Sequence, residues 1–87
     1  MDRYAPGDHV VSVSQGGRTV LLDPREGRYH SLDEVGTRVW ELLREHPTLD
    51  ELTGRLELEY DAPREVLRAD VSALLAALAE RGLIRSA

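Results

Sequence analysis

Cysteine, lysine, asparagine and phenylalanine are all missing from this chain of 87 residues. Without cysteine, neither disulfide staples nor thiolate metal sites are available. No run approaches the ~18 consecutive apolar residues that a membrane helix needs. Met1 leads into Asp2, Arg3 and Tyr4 rather than into an apolar signal region, so a soluble, cytoplasmic protein is expected. All 11 basic residues are arginine, and the net charge of −5 argues against nucleic acid, whose binding rests on neutralised phosphates. Aromatic residues are scarce, which makes Tyr29, Trp40 and Tyr60 conspicuous. What remains suits one small domain, residues 1–87, near the lower size limit for burying its own core.

The apolar pattern changes period along the chain. "HVVSVSQGGRTVLLD" holds two β-branched runs around Gly16-Gly17, a pair that supplies the positive φ of a tight hairpin turn. "DPREG" reads as a second turn and "RYHSL" as a third short strand. Strands are therefore expected at about 9–14, 18–23 and 28–32, as a three-stranded meander. Helices are expected at about 33–45, 49–60 and 63–81. Ser31 and Glu34 have the spacing of a capping box, and Thr48 and Glu51 repeat it. Gly36, on the flank of the first helix, would allow close backbone approach, and Trp40 is expected to be buried. "LELEY", residues 56–60, fits a strand as well as a helix. In the third helix Leu67, Val71, Leu74 and Leu78 form the expected core stripe, and Gly82 a C-terminal cap. The order βββααα with short connections implies an α+β, winged-helix-like domain.

No catalytic constellation emerges. His9, His30 and His46 form no HxH or HxxxH pair. His30 and Ser31 are adjacent in a strand, so they point to opposite faces and cannot form a dyad. "QGGR" lacks the ending of a phosphate loop and lies in a hairpin. No enzyme activity, no cofactor and no metal are expected. Two features do suggest binding. If the meander is ordered 1-2-3, its third strand has an unblocked edge, free of proline and lysine. On the third helix Asp70 shares a flank with Val66, Ala73 and Ala77, which is more a shallow groove than a charged face; pairing with an arginine would be the ordinary alternative for Asp70. An open edge beside an apolar groove suits the addition of an extended peptide.

Three segments together resemble a known family. "GRYHSLDEVGTRVWELL", "TLDELTGRLELEYD" and "DVSALLAALAERGLI" are similar to the PqqD-like proteins over residues 20–85. Tyr29, Leu32, Asp33, Gly36, Val39, Trp40, Leu42 and Leu43 fit the family's first motif. Thr48, Glu51 and Leu52 fit the second, and Asp70, Val71, Leu75, Leu78, Gly82, Leu83 and Ile84 the third. Asp33 stands where the family often has Asn; both residues cap helices.

The resemblance implies a non-catalytic recognition element for ribosomally made, post-translationally modified peptides, with three strands and three helices. Such domains bind the leader of a precursor peptide along the third strand and against the third helix. The binding residues implied here are Arg28, Tyr29, His30, Ser31, Leu32, Val66, Leu67, Asp70 and Leu74. A free-standing copy of this length resembles the recognition proteins of lasso-peptide biosynthesis, whose partners are the precursor leader, a separate leader peptidase and a macrolactam cyclase. Leaders of that kind carry a tyrosine and a proline a few residues apart, which suits an apolar pocket with one polar anchor. Two other readings stand beside it: a PqqD-type peptide chaperone working with a radical enzyme, and a winged-helix DNA-binding regulator using residues 63–75 as recognition helix.

Overall fold

The computed structural model describes residues 2–86. In chain order it comprises β1 (Tyr4–Pro6), β2 (Val11–Gln15), β3 (Arg18–Asp23), β4 (Arg28–Leu32), α1 (Glu34–Leu42), α2 (Leu49–Glu59), α3 (Arg64–Glu80) and β5 (Ile84–Ser86). The central sheet is antiparallel with order β2-β3-β4. The element order thus gives the α+β fold that the sequence implies.

Register decides what each sheet face does. Leu21 pairs with His30 and Thr19 with Leu32, and Leu21, Thr19 and Leu32 are all buried against the helices. The alternate residues face outward: Val11 pairs with Leu22, Leu22 with Tyr29, and Val13 with Val20. That outer face is open, with Val13 55% and Tyr29 67% exposed. Gly16 and Gly17 take φ of 62° and 78°, as the tight turn between β2 and β3 requires.

The helices close over the inner face. Leu42, Leu43, Leu52, Leu56, Leu67, Val71, Leu75 and Leu78 join Leu21, Leu32 and Val39 in one core. "LELEY" resolves as helix because Leu56 is fully buried while Leu58 is 78% exposed; a strand would have put both on one face. In α3 the core stripe runs through Leu75 rather than the expected Leu74, which is half-buried on the adjoining flank. Trp40 is likewise only partly buried against the core, where full burial was expected. Gly82, at φ +72°, ends α3: Leu83 N–H reaches the Leu78 carbonyl at 2.9 Å and Gly82 N–H that of Ala79 at 3.0 Å. Leu83 and Ile84 then fold back into the core.

Several boundaries differ from the sequence expectation, each for a local reason. The first meander strand starts at Val11 rather than 9, because residues 7–10 turn, with Val10 N–H on the Gly7 carbonyl. The first helix stops at Leu42 rather than 45. Residues 43–45 go on as a turn, with the Glu45 and His46 N–H groups both on the Leu42 carbonyl, and Pro47 disfavours helical backbone at His46. The cap of α1 is Asp33, not Ser31: its Oδ1 accepts the Gly36 N–H at 2.8 Å, while Ser31 stays in β4 opposite Val20. Thr48 does cap α2, accepting the Glu51 N–H at 3.2 Å. The short pair β1–β5 was not foreseen. It ties the two ends of the chain together, with Pro6 opposite Ile84.

The corrected cap has a measurable consequence. Asp33→Ala should lose about 0.5–2 kcal/mol of stability, the usual value of an N-cap side chain, in urea unfolding. Ser31→Ala should change it by no more than ~0.5 kcal/mol, as for an ordinary surface site. Equal losses in the two variants would restore Ser31 as the cap.

Candidate peptide-binding groove

Because α1 starts directly after β4, no loop covers that end of the strand. Leu32 drops into the core, Asp33 caps, and Gly36 packs beneath: a Cβ there would lie 3.3 Å from Leu32 Cβ and 3.2 Å from Asp33 Oδ1. The joint holds the end of β4 beside α3 with a groove between them. This groove, of about 400 Å³, is lined by apolar Leu32, Val35, Val39, Val71 and Leu74, with Asp70, Asp33 and Arg18 as its charged groups. β4 is also an edge of the sheet, with β3 on one side only. Its second row of backbone N–H and C=O groups is thus available for pairing.

The residues implied by the family resemblance are spread over the groove and its surroundings. Ser31, Leu32, Asp70 and Leu74 line the groove. Arg28 lines a second cavity, between the start of β4 and the end of α3, together with Ala77, Glu80 and Arg81. His30 is half-buried on the inner sheet face between them. Val66 is 48% exposed one helical turn before Asp70, on the row that continues through Leu74. The other two are placed differently from the expected lining. Tyr29 is on the outer sheet face opposite Leu22, because side chains alternate along a strand. Leu67 is in the core, 4% exposed.

Sequence reasoning missed Arg18, Asp33, Val35, Val39 and Val71 in the groove and Arg81 beyond it. Arg18 was accessible only through register, as the neighbour of Thr19, which pairs with Leu32. Arg81 lay in view: the row Val66, Asp70, Leu74, Ala77 reaches it one turn later.

The electrostatics separate the groove from the rest of α3. Arg64 and Arg68 are ion-paired to Glu57 and Asp50 of α2. Arg38 holds Glu59 through two hydrogen bonds, at 2.7 and 2.9 Å, which ties α1 to α2. Asp70 is exposed and, among the described residues, is in no ion pair. The ordinary arginine partner expected for it is therefore not seen there. Burial, with a smaller contribution from the nearby Arg81 guanidinium, pushes the His30 imidazole below its ordinary pKa.

Comparison with known proteins places this architecture. The family described as Coenzyme PQQ synthesis protein D (PqqD) matches residues 18–84. The chain belongs to the PqqD family. Among solved structures, TbiB1 in complex with the TbiA(β) leader peptide is 35% identical, with a TM-score of 0.84, over 92% of this chain and 93% of that one. Lasso peptide synthetase B1 complexed with the leader peptide is 23% identical and shares the fold, with a TM-score of 0.84 over 95% of this chain and 98% of that one. A PqqA binding protein of Bradyrhizobium diazoefficiens is 27% identical, with 93% of each chain covered.

The His30 shift has a definite sign. The folded pKa lies below the unfolded value, so the unfolded chain takes up the proton first. The stabilising contribution is complete above about pH 6.5 and is lost as the pH falls from there through the folded pKa. In NMR titration His30 should titrate below 6.5. Arg81→Gln should move it upward part of the way, with burial holding the remainder. A midpoint above 6.5 in the wild type would contradict this placement.

Proposed function

We propose that this PqqD-family protein binds the leader of a ribosomal precursor peptide as a fourth strand on β4 and presents it to the separate leader peptidase and macrolactam cyclase of lasso-peptide biosynthesis. One observation carries the reading: an open sheet edge faces an apolar groove whose wall on α3 bears an Asp outside any described ion pair. Backbone pairing with β4 supplies register and affinity, and alternate side chains entering the groove supply specificity. The relative at 35% identity was solved with a leader peptide, which supports leader binding; the preference for the lasso pathway over a PqqA-related one rests on the resemblance to free-standing recognition proteins. The precursor and its processing enzymes would share the cytoplasm with this protein.

In this reading the binding residues are Arg28, His30, Ser31, Leu32, Val66, Asp70 and Leu74. Tyr29 flanks the added strand on the outer face, and Leu67 supports α3 from the core. The protein performs no chemistry itself. Regulation through DNA is disfavoured physically: Arg64 and Arg68 of the would-be recognition helix are already paired with carboxylates, and the net charge of −5 repels phosphate.

Calorimetric titration with the leader of the neighbouring precursor gene tests the groove. A hydrogen bond to the Asp70 carboxylate is worth ~1.5–3 kcal/mol, so Asp70→Ala should weaken binding roughly ten- to a hundredfold. Val66→Glu should do at least as much harm by adding a charge to the same wall, and Glu57→Ala on α2 should have no effect. Wild-type affinity in both groove variants, with intact melting curves, would move the site elsewhere. Leader cleavage should require added peptidase; cleavage that stays with the purified protein through repeated chromatography would overturn the non-catalytic role.

A further inference from the structure

The groove does not stop at Leu74. One turn further on, Ala77, Glu80 and Arg81 of α3 face Arg28 of β4 across a cavity of about 520 Å³. Arg28 and His30 are two residues apart on the same strand face, and Arg81 is close enough to act on the His30 ring. β4 and α3 therefore run antiparallel along the groove, with the Asp70 end beside Leu32 and the Arg81 end beside Arg28.

Arg38, Arg55, Arg64, Arg68 and Arg85 are each in an ion pair with Asp or Glu. Among the described residues Arg3, Arg18, Arg25, Arg28, Arg44 and Arg81 are in none; what sets Arg28 and Arg81 apart is that they line one cavity between the edge strand and α3, together with Glu80. Arg81 has a structural reason to be there, since a cation at a helix C-terminus offsets the macrodipole. Arg28 has no such reason. It stands on an open edge strand, facing a second guanidinium across an open groove, and like charges in that position repel. Two planar guanidinium groups around one cavity are complementary to a carboxylate, which each can hold with two parallel hydrogen bonds.

Resting on the peptide-binding reading above, we propose that this end of the groove is a subsite for an Asp or Glu side chain of the leader, held by Arg28 and Arg81. Its spacing from the Asp70 anchor follows from geometry. Eleven helical residues separate Asp70 from Arg81, a rise of about 16 Å at ~1.5 Å each. An extended peptide covers that distance in roughly four to six residues at ~3.3 Å each. Only the even spacings keep both side chains on the groove face. The leader would thus carry a hydrogen-bond donor for Asp70 and, four or six residues away, an acid. The two ends of the groove have opposite charge, so a peptide so marked is held in one direction and one register.

The test is selection from a library of random 16-residue peptides, each tethered to its carrier by the C-terminus so that only side-chain carboxylates are presented. Selection runs against the wild type, the Arg28→Glu/Arg81→Glu double variant and an Arg44→Glu control. The wild type and the control should enrich Asp or Glu at one fixed position. The double variant should enrich Arg or Lys at that same position. In anisotropy titrations of a selected peptide, acid→amide substitution should weaken wild-type binding about two- to fivefold, the range of an exposed charged pair. That loss should shrink as salt rises. An enriched apolar consensus without an acidic position, or with the same acid on the double variant, overturns the subsite and leaves peptide binding standing. No consensus on the wild type overturns peptide binding, and the subsite with it. Melting curves verify folding, and Arg28→Gln/Arg81→Gln replaces the double variant if it does not fold; the acidic preference should then vanish rather than invert.

Discussion

The junction between β4 and α1 is the constraint on which the binding region depends. Three neighbouring residues each have one physical task there. Leu32 buries its side chain in the core, Asp33 accepts the Gly36 N–H in the first turn of the helix, and Gly36 leaves the space in which the cap and Leu32 pack together. With no loop between strand and helix, the chain turns away at once and leaves the edge of β4 uncovered. An inserted loop would supply backbone to cap that edge, the usual protection for an exposed strand.

The second wall of the groove shows how one helix divides its circumference. Leu67, Val71, Leu75 and Leu78 of α3 are committed to the core. Arg64 and Arg68 are committed to carboxylates of α2. The remaining flank, Val66, Asp70, Leu74, Ala77 and Arg81, has neither duty apart from the partial packing of Leu74 on the core, and runs beside β4. The same side chains that anchor the helix therefore fix the angle at which the free flank is presented. The ion pairs themselves are exposed and individually worth little; they orient the helix more than they stabilise it.

Much of this architecture was legible from local chemistry. The Gly16-Gly17 turn, the alternating strands, Thr48 as cap and Gly82 as terminator each act over fewer than ten residues, where backbone preference and side-chain periodicity operate directly. The ambiguous "LELEY" stretch marks the limit. Both periods fit it, and only a core able to accept Leu56 while rejecting Leu58 selects the helix. Likewise Ser31 and Asp33 were both competent caps, and the choice went to Asp33 because Ser31 was already held in the ladder opposite Val20.

Local sequence, then, determined the order of elements, their approximate ends, the open third strand of the meander, and the presence of Asp70 on a non-core flank of a helix. Tertiary structure decided which face of that strand meets the helix, and so turned Tyr29 outward and His30 inward. It also moved Leu74 from the core to the groove, brought Arg28 opposite Arg81, and paired β1 with β5. The reason is the same in each case. A strand's alternation and a helix's stripe state which residues share a face, but not which face is buried; that is settled by packing between segments far apart in the chain, here Leu21 against the helices and Ile84 against Pro6.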